Sequence, residues 1–358
     1  MKWKNVLTDL FKVDYPIIQA PMLGVTTPEM TAAASNAGAL GSLALGDLPA
    51  EKCIELVKQT KKLTDKPFAV NIFVNKIDAI TPELENKYNK TKKHLREIAE
   101  RNEIIADFPD INEIQLTDYH DQIEAIILEN CKIVSFTFGN LDEKSIAFLK
   151  ENNVILIGTC TSVEEALVLE KSGIDVICVQ GIEAGGHRGS FLEETIPQIG
   201  GLSLLSQVAD NINVPIIYAG GIYNAKTLLA SKTLGANGFQ IGSLFLGTLE
   251  SALMDFEKQR LRNLKENEIV LTKSFSGRYA RGIRNAFIEE IENSEYILPY
   301  PYQNKLTADL RKSSKSHKNS DFVSIWAGQS INGYSAVSTG IVIQNLIEEV
   351  ENFSFLIK

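Results

Sequence analysis

Short runs of apolar and β-branched residues recur along this chain, separated by longer amphipathic segments. Each run is continuous rather than alternating in polarity, which is typical of strands buried on both faces of a parallel sheet. The segments between the runs, such as Thr27–Ala37 and Ser162–Ser172, have helical periodicity. The predicted strands are Ile17–Met22, Leu40–Gly46, Phe68–Phe73, Ile133–Gly139, Val154–Thr159, Asp175–Gly181, Val214–Gly221 and Gly238–Phe245.

Eight strands that alternate with helices predict an α/β fold, specifically a (β/α)8 TIM barrel. The alternative is a doubly wound open sheet, which usually carries a GxGxxG turn after its first strand. Here that turn reads APMLGV, so the barrel is favoured. The segment Ser335–Asn352 has helical periodicity and is predicted to close the barrel as its last helix.

Two segments interrupt the repeat. Residues 75–120 contain the charged stretch ENKYNKTKKHLREIAERNE, which predicts a solvated helix with His94 at its surface. Residues 251–325 contain the basic, aromatic and proline-rich stretches SGRYARGIRN and ILPYPYQNKLTADLRK. Within them, Lys312–Ser320 is predicted to be a mobile loop carrying His317. We predict that both inserts form one cap or substrate domain over a barrel made of residues 1–74, 121–250 and 326–358.

Composition narrows the class of partner. Lys+Arg 36 against Asp+Glu 45 give a net charge of −9 without long single-sign blocks, which argues against nucleic acid or an anionic membrane surface. No apolar run approaches the roughly 18 residues of a membrane span, and the N-terminal residues lack the apolar core of a secretory signal. A homo-oligomer is compatible with this surface, but nothing in the sequence specifies one. The cysteines lie in or beside apolar runs without CxxC spacing, as expected for reduced core residues of a cytoplasmic protein: Cys53, Cys131, Cys160 and Cys178.

Glycines follow or interrupt the last two predicted strands. They stand in Ala219-Gly220-Gly221-Ile222 and in Gln240-Ile241-Gly242-Ser243. Glycine lets backbone N–H groups approach an anion closely, and barrels that bind phosphate use the loops after strands seven and eight. The two loops therefore predict a phosphate cradle, although tight turns that need positive φ are the alternative explanation.

Two amides stand at the ends of otherwise apolar strands. Asn71 ends the third predicted strand and Gln180 the sixth, where an unpaired polar group costs about 1–3 kcal/mol. Amides both donate and accept hydrogen bonds, so they suit the N–H and C=O edge of a flavin ring. Hydrogen bonds within the barrel are the alternative. The loop after the first strand, with Met22, is expected to offer apolar contact to the ring.

The sixth strand leads into GIEAGGHRGSF, which contains His187 and Arg188. His187 follows a predicted barrel strand, whereas His94, His120 and His317 do not, so His187 is the candidate catalytic histidine. An ordinary loop with a solvated histidine is the alternative. Arg188 is expected to brace this loop or to pair with a carboxylate.

The same motifs resemble the nitronate monooxygenases, the 2-nitropropane dioxygenase-like family of flavin enzymes. The resemblance spans nearly the whole chain, through IIQAPMLGVTTPE, SNAGALG, NIFV, SFTFG, IGTCTSVEEA, GIEAGGHRGSF, AGGI, GFQIGS, FSGRYARGIRN and WAGQS. It implies that His187 is the catalytic base and that a nitronate or nitroalkane reacts with O2 to give a carbonyl compound and nitrite. Propionate 3-nitronate is one substrate that it implies. The implied FMN contacts are Met22, Asn71, Gln180, Gly185, Gly220, Gly221, Gln240, Ile241, Gly242 and Ser243.

Two other functions stay open. The first is an FMN-dependent, NADH-using enoyl-acyl-carrier-protein reductase or a related NADH:acceptor reductase. The enoyl reductases share the barrel, the glycine loops and an EAGGH element, but resemble this chain less after the third strand and in HRGSF. A flavin-binding sensor without turnover is the second alternative, and the intact His187 argues against it. In the second insert, Tyr300, Tyr302 and Lys305 are expected to line the substrate pocket.

Overall fold

The predicted strands form a parallel barrel. The computed structural model describes residues 2–193, 195–330 and 334–356. Its strands are β1 (Ile17–Gln19), β2 (Gly41–Gly46), β3 (Phe68–Phe73), β4 (Ile133–Thr137), β5 (Ile155–Cys160), β6 (Val176–Gln180), β7 (Gly186–His187), β8 (Ile216–Ala219), β9 (Gly238–Ile241), β10 (Ile269–Thr272) and β11 (Ala280–Ile283).

Helices follow most of the strands. They are α1 (Val6–Phe11), α2 (Pro28–Asn36), α3 (Ala50–Leu63), α4 (Pro82–Arg101), α5 (Tyr119–Leu128), α6 (Glu143–Glu151), α7 (Val163–Lys171), α8 (Gly201–Ala209), α9 (Ala225–Thr233), α10 (Asp255–Arg262), α11 (Ala286–Ile291), α12 (Tyr302–Leu306), α13 (Ala308–Ser316) and α14 (Thr339–Leu356). Short 3-10 turns lie at Ile111–Glu113, Ser243–Phe245, Glu266–Glu268 and Ser320–Phe322.

The eight-stranded sheet has the order β1-β9-β8-β6-β5-β4-β3-β2, and its ladders are parallel. A parallel bridge between Ile18 and Leu40 joins the two ends of the sheet. There the Gln19 N–H donates to Leu40 O at 3.0 Å and the Leu40 N–H donates to Ile17 O at 2.8 Å. The sheet is thereby closed, which confirms the predicted (β/α)8 barrel.

Several strands end earlier than predicted. β1 stops at Gln19 rather than Met22, β8 at Ala219 rather than Gly221, and β9 at Ile241 rather than Phe245. Phe245 is nevertheless fully buried. The apolar pattern therefore continues past the last ladder bond, because burial at the barrel mouth does not require strand pairing.

Side chains that alternate along the strands form two layers. One layer faces the surrounding helices, as Ile17 does, and belongs to the largest core cluster. The other includes Ile18 and Ile217 together with Leu7 and Phe11 of α1. Helix α1 therefore packs against the inner layer of side chains and leaves the carboxyl ends of the strands to the loops.

A separate hydrophobic cluster unites the two inserts. From the first insert, α4 buries Tyr88, Leu95 and Ile98, so the predicted helix is present but one of its faces is not solvated. His94, predicted to lie at the surface, stacks on Tyr296 at 4.1 Å between ring centroids. The second insert contributes Phe275, Phe287, Ile288, Ile291, Leu298, Tyr302, Leu306, Leu310 and Phe322.

The prediction of a mobile loop at Lys312–Ser320 is wrong. Helix α13 runs to Ser316, and a 3-10 turn follows at Ser320–Phe322. Leu310 and Ser314 lie four residues apart on one face of α13 and are both buried. Because most residues of this segment are polar, its sequence did not indicate that one face of the helix is buried.

The cysteines are core residues, as their apolar surroundings predicted. All four are buried, and none of them forms a disulfide. No helix in the described part of the chain is long and apolar enough to cross a membrane.

His120 connects the starts of two consecutive helices. Its Nδ1 lies 2.6 Å from Asp118 Oδ1, and its Nε2 lies 2.9 Å from Asp142 Oδ2. Asp118 is the N-cap of α5 and Asp142 the N-cap of α6. Burial opposes protonation of the imidazole, but the hydrogen bonds to Asp118 and Asp142 outweigh it and raise the pKa of His120. The contacts of His120 with Asp118 and Asp142 clamp the starts of α5 and α6 together, and this clamp is strongest when the imidazole is protonated.

We expect His120→Gln to lower the melting temperature more at about pH 6 than at about pH 9. A raised folded-state pKa gives stability that is complete below the unfolded pKa of about 6.5 and is lost as the pH rises through the folded value. Because the groups are half exposed, the expected loss is small, about 1–2 °C. Thermal unfolding at both pH values measures it. His317→Gln is the control, since the partners of its imidazole among the described residues are Ser313 O and Ser316 Oγ, neither of which is a carboxylate. An equal loss at both pH values contradicts the clamp.

Candidate active site

A cavity of about 510 Å³ lies at the carboxyl ends of the barrel strands. Its volume is within the usual range of small-molecule sites, and its position is that of active sites in such barrels. The structure brings the candidate residues together around it: His187, Met22, Asn71, Gln180, Gly185, Gly220, Gly221, Gln240, Ile241, Gly242 and Ser243 all line its wall.

The two glycine loops form one side of the cavity. Gly220 and Gly221 have φ angles of 132° and 66°, in the left-handed region that favours glycine. The N–H groups of Gly221, Gly242 and Ser243 make no backbone hydrogen bond within the described residues. Ser243 Oγ accepts a bond of 2.8 Å from the Gly328 N–H. Free N–H groups without intervening side chains suit an anionic group such as a phosphate.

The two amides at the strand ends already have partners in the protein. Asn71 Nδ2 donates to Ser135 Oγ at 2.9 Å. Gln180 Nε2 donates to His187 O at 2.9 Å, and Gln180 Oε1 accepts from the Gly189 N–H at 2.9 Å. Each amide keeps further donor or acceptor capacity toward the cavity. Gln180 also holds the backbone on both sides of Arg188.

Arg188 braces the loop, as one of its two predicted roles required. Its Nη1 donates to Gly181 O at 2.6 Å and its Nη2 to Gln180 O at 2.9 Å. The side chain is 1% exposed and does not belong to the wall of the cavity. The guanidinium instead ties the loop after β6 to the end of that strand.

His187 lies among aromatic rings. Its ring centroid is 5.5 Å from Phe138, 6.4 Å from Tyr300 and 5.4 Å from Trp326. Phe138 has a φ of 80°, which is uncommon for a bulky residue and marks backbone strain beside the site. His187 Nε2 lies 2.8 Å from Ser276 Oγ. The imidazole is thus bonded to a hydroxyl, and none of its described partners is a carboxylate.

The surroundings of His187 disfavour its charged form. Burial, followed by the cationic Arg278 and Arg311, lowers the pKa of His187 to about 3. The side chain is therefore neutral at neutral pH, as a proton acceptor must be. In the absence of a bound anion it is also a weak base.

A cationic group faces the cavity from α13. Arg311 Nη2 donates to Asn304 O at 2.7 Å and to Asn304 Oδ1 at 2.9 Å. Within the described residues Arg311 makes no salt bridge, since Asp47 pairs with Lys305 at 2.7 Å. Tyr300, 9% exposed, has an Oη without a partner among the described atoms. A half-buried guanidinium without a carboxylate partner, in the same cavity wall as a hydroxyl without a partner, favours an anionic ligand.

The expectations for the second insert were partly wrong. Tyr300 lines the cavity, but Tyr302 and Lys305 do not. Tyr302 Oη donates to Asp78 O at 2.8 Å and joins the two inserts, and the Lys305 ammonium is held by Asp47. A tyrosine or lysine close in sequence to a pocket residue can face the opposite side of a short helix.

Sequence reasoning missed other residues of the site. Phe138 stood within the quoted motif SFTFG and Trp326 within WAGQS, so their motifs were available as signals. Arg311 stood within the quoted stretch ILPYPYQNKLTADLRK, but nothing in that stretch distinguished it from Lys305 or Lys312. Ser276, in FSGRYARGIRN, could be connected with His187 only through the fold.

Comparison with known proteins identifies relatives along the whole chain. The family model described as nitronate monooxygenase matches residues 4–350. A probable nitronate monooxygenase of Staphylococcus aureus (strain JH9) is 38% identical over 350 residues, which cover 97% of each chain. One from Staphylococcus saprophyticus is 39% identical over 353 residues, covering 98% of each.

Solved structures show the same fold. The nitroalkane oxidase of Streptomyces ansochromogenes is similar with a TM-score of 0.89 and 31% identity, covering 99% of this chain and 100% of that one. FabK from Thermotoga maritima is similar with a TM-score of 0.76 and 24% identity, covering 99% and 98%. At that identity the second likeness concerns the fold alone.

We expect Arg188→Met to lower the free energy of unfolding by about 3 kcal/mol, because it removes two charge-assisted hydrogen bonds and leaves two carbonyls without these donors. Urea unfolding measures the loss. Arg284→Met is the matched control, since Arg284 is exposed, and it should change stability by less than about 0.5 kcal/mol. If both variants unfold like the wild type, the guanidinium does not brace the loop.

Proposed function

This chain belongs to the nitronate monooxygenase family of oxidoreductases, and we propose that it uses bound FMN and O2 to oxidise alkyl nitronates to a carbonyl compound and nitrite. The observation that carries the proposal is one cavity whose wall contains both the glycine cradle and the side chains of His187 and Arg311. The cradle suits the phosphate of a cofactor, and the half-buried Arg311 suits an anionic substrate.

The chemistry of the wall fits FMN. Free backbone N–H groups at the glycine loops would hold the phosphate, and the remaining amide capacity of Asn71 and Gln180 suits the polar edge of the ring. When bound, FMN would supply one-electron transfer between the nitronate and O2. The proposed FMN-binding residues are Met22, Asn71, Gln180, Gly185, Gly220, Gly221, Gln240, Ile241, Gly242 and Ser243.

His187 is the proposed catalytic base when a neutral nitroalkane is the substrate. Its neutral imidazole would accept the proton of the carbon next to the nitro group. The nitronate formed beside it is an anion, and an adjacent anion raises the pKa of an imidazole. The protonated ring then stabilises the product anion. A preformed nitronate needs no such proton transfer.

Arg311 is the proposed contact for negative charge on the substrate. It lines the cavity together with Tyr300 and Asn304 and makes no salt bridge within the described residues. A nitronate that also carries a carboxylate, such as propionate 3-nitronate, would offer it a second anionic group. We therefore propose this compound as the specific substrate.

The two inserts, residues 75–120 and 251–325, are proposed to form one cap over the barrel of residues 1–74, 121–250 and 326–358. The hydrophobic cluster built from both inserts supports this division. So does the presence of Tyr300, Asn304 and Arg311 in the cavity wall, since all three come from the second insert. The cap would exclude water from the reacting carbon.

In the aerobic enzyme loaded with FMN, we expect an alkyl nitronate to cause oxygen uptake and nitrite release without NADH. His187→Asn should retain the flavin absorbance and lose about a hundredfold or more in turnover of a neutral nitroalkane, with less effect on the preformed nitronate. His94→Asn is the control, because His94 lies outside the cavity wall. Rapid anaerobic bleaching of the flavin by NADH, without oxidation of nitronate, would instead support the enoyl-acyl-carrier-protein reductase.

We expect Arg311→Gln to raise KM for propionate 3-nitronate by about tenfold or more, because one charge-assisted hydrogen bond is worth about 1.5–3 kcal/mol. For an alkyl nitronate without a carboxylate the rise should be smaller. Steady-state kinetics with both substrates measures the difference, and the exposed Arg262→Gln is the control. An equal change for both substrates contradicts recognition of a carboxylate.

A further inference from the structure

Ser276 contacts the ring of His187 from outside the cavity wall. Its Oγ lies 2.8 Å from His187 Nε2 and 2.9 Å from Arg278 O, and it accepts from the Arg278 N–H at 3.3 Å. The residue is 1% exposed. Two of these neighbours have fixed roles, since the Arg278 carbonyl only accepts and the Arg278 N–H only donates, and they restrict where the single hydroxyl proton can lie.

The proton of Ser276 belongs to the bond with the Arg278 carbonyl. A carbonyl oxygen only accepts, so this contact requires the hydroxyl to donate. Oγ is then left with acceptor capacity alone, and His187 Nε2 must carry a proton to bond with it. If the hydroxyl donated to His187 instead, the carbonyl would lose this donor in a buried site, at a cost of about 1–3 kcal/mol.

The loop that carries Ser276 is itself held in place. Gln303 Nε2 donates to Ser274 O at 2.7 Å, and Thr307 Oγ1 donates to Phe275 O at 2.6 Å. Gly277 has a φ of 81°, and a Cβ there would lie 2.2 Å from Leu298 O. The hydroxyl is therefore presented to His187 by a backbone that has little freedom.

The other ring nitrogen is available. His187 Nδ1 makes no hydrogen bond within the described residues. It is also absent from the set of fully buried polar atoms without a partner, so this nitrogen is not fully buried. Since His187 lines the cavity and its Nε2 is held by Ser276, Nδ1 is the ring nitrogen left to face the cavity. In a neutral imidazole, protonation of Nε2 leaves the lone pair on Nδ1.

We propose that Ser276 is a positioning residue that fixes His187 in the Nε2-protonated tautomer and thereby makes Nδ1 the proton-accepting atom. This rests on the proposed function for the identity of the proton donor, a neutral nitroalkane, but the tautomer itself is a property of the protein. Without the hydroxyl, the ring would populate both tautomers, and molecules protonated at Nδ1 could not accept the proton there.

The test is ¹⁵N NMR of the FMN-loaded enzyme labelled at histidine. The chain has four histidines, so single substitutions of the other three assign His187. In the wild type at neutral pH we expect Nε2 at the position of a protonated nitrogen and Nδ1 at that of an unprotonated one. Ser276→Ala should give a mixture of tautomers, and Ser276→Thr, which keeps the hydroxyl, should restore the single form.

The kinetic readout separates positioning from general damage. Ser276→Ala should lower kcat for a neutral nitroalkane by about ten- to a hundredfold, and kcat for a preformed nitronate by less than about threefold. Ser274→Ala is the control in the same loop, because Ser274 Oγ donates to Glu292 Oε2 at 2.7 Å and has no bond to His187 within the described residues. That variant should keep the wild-type tautomer.

A wild-type His187 protonated at Nδ1 overturns the proposal. So does a Ser276→Ala variant that keeps the pure Nε2-protonated form. If nitronates are not oxidised at all but the tautomer is as expected and changes in Ser276→Ala, the proposed function fails and the assignment of the tautomer stands.

Discussion

The pairing of β7 with β11 is the constraint on which the site depends. β7 is two residues long, and in it His187 lies opposite Ala280 and Gly186 opposite Arg281. The following Arg188 N–H donates to Tyr279 O at 2.8 Å. A barrel loop is thereby joined by backbone hydrogen bonds to a strand of the second insert. These bonds do not depend on side chains, so the contact survives most substitutions on either side.

The pairing of β7 with β11 also determines which residues surround His187. The chain enters β11 through the turn that carries Ser276, which is how a hydroxyl from the second insert reaches His187 Nε2. Behind this turn Phe275 stacks on Phe287 at 4.6 Å and meets Trp326 edge-on at 6.0 Å. The aromatic core of the insert therefore supports the residues that position the imidazole. Loosening that core would disturb the site before it disturbed the barrel.

The sequence predicted the features that follow from periodicity and local chemistry. Buried parallel strands are continuous apolar runs, so eight of them could be counted, and glycines such as Gly220 and Gly221 stand where side chains are excluded. Contacts between the inserts and the barrel follow no repeating spacing along the sequence, so periodicity could not predict them. The bond of Gln180 to His187 O exists only because the loop folds back, and Arg311 faces the cavity only because α13 buries its opposite side. Such contacts depend on the tertiary arrangement.

The positive charges around His187 affect a neutral nitroalkane and an anionic nitronate in different ways. A neutral nitroalkane must give its proton to an imidazole whose charged form is disfavoured by burial and by Arg278 and Arg311. A nitronate that arrives as an anion is attracted by the same guanidiniums and requires no imidazolium. Arg278 acts from behind the ring of Phe138, 4.3 Å from its centroid, whereas Arg311 lines the cavity and can touch the ligand. Of these two guanidiniums, the one with direct access stabilises the anion whether it enters as a nitronate or forms from a neutral nitroalkane, but only the second route requires a charged His187. On the proposed function, the charges around the imidazole therefore oppose the nitronate less than the neutral nitroalkane.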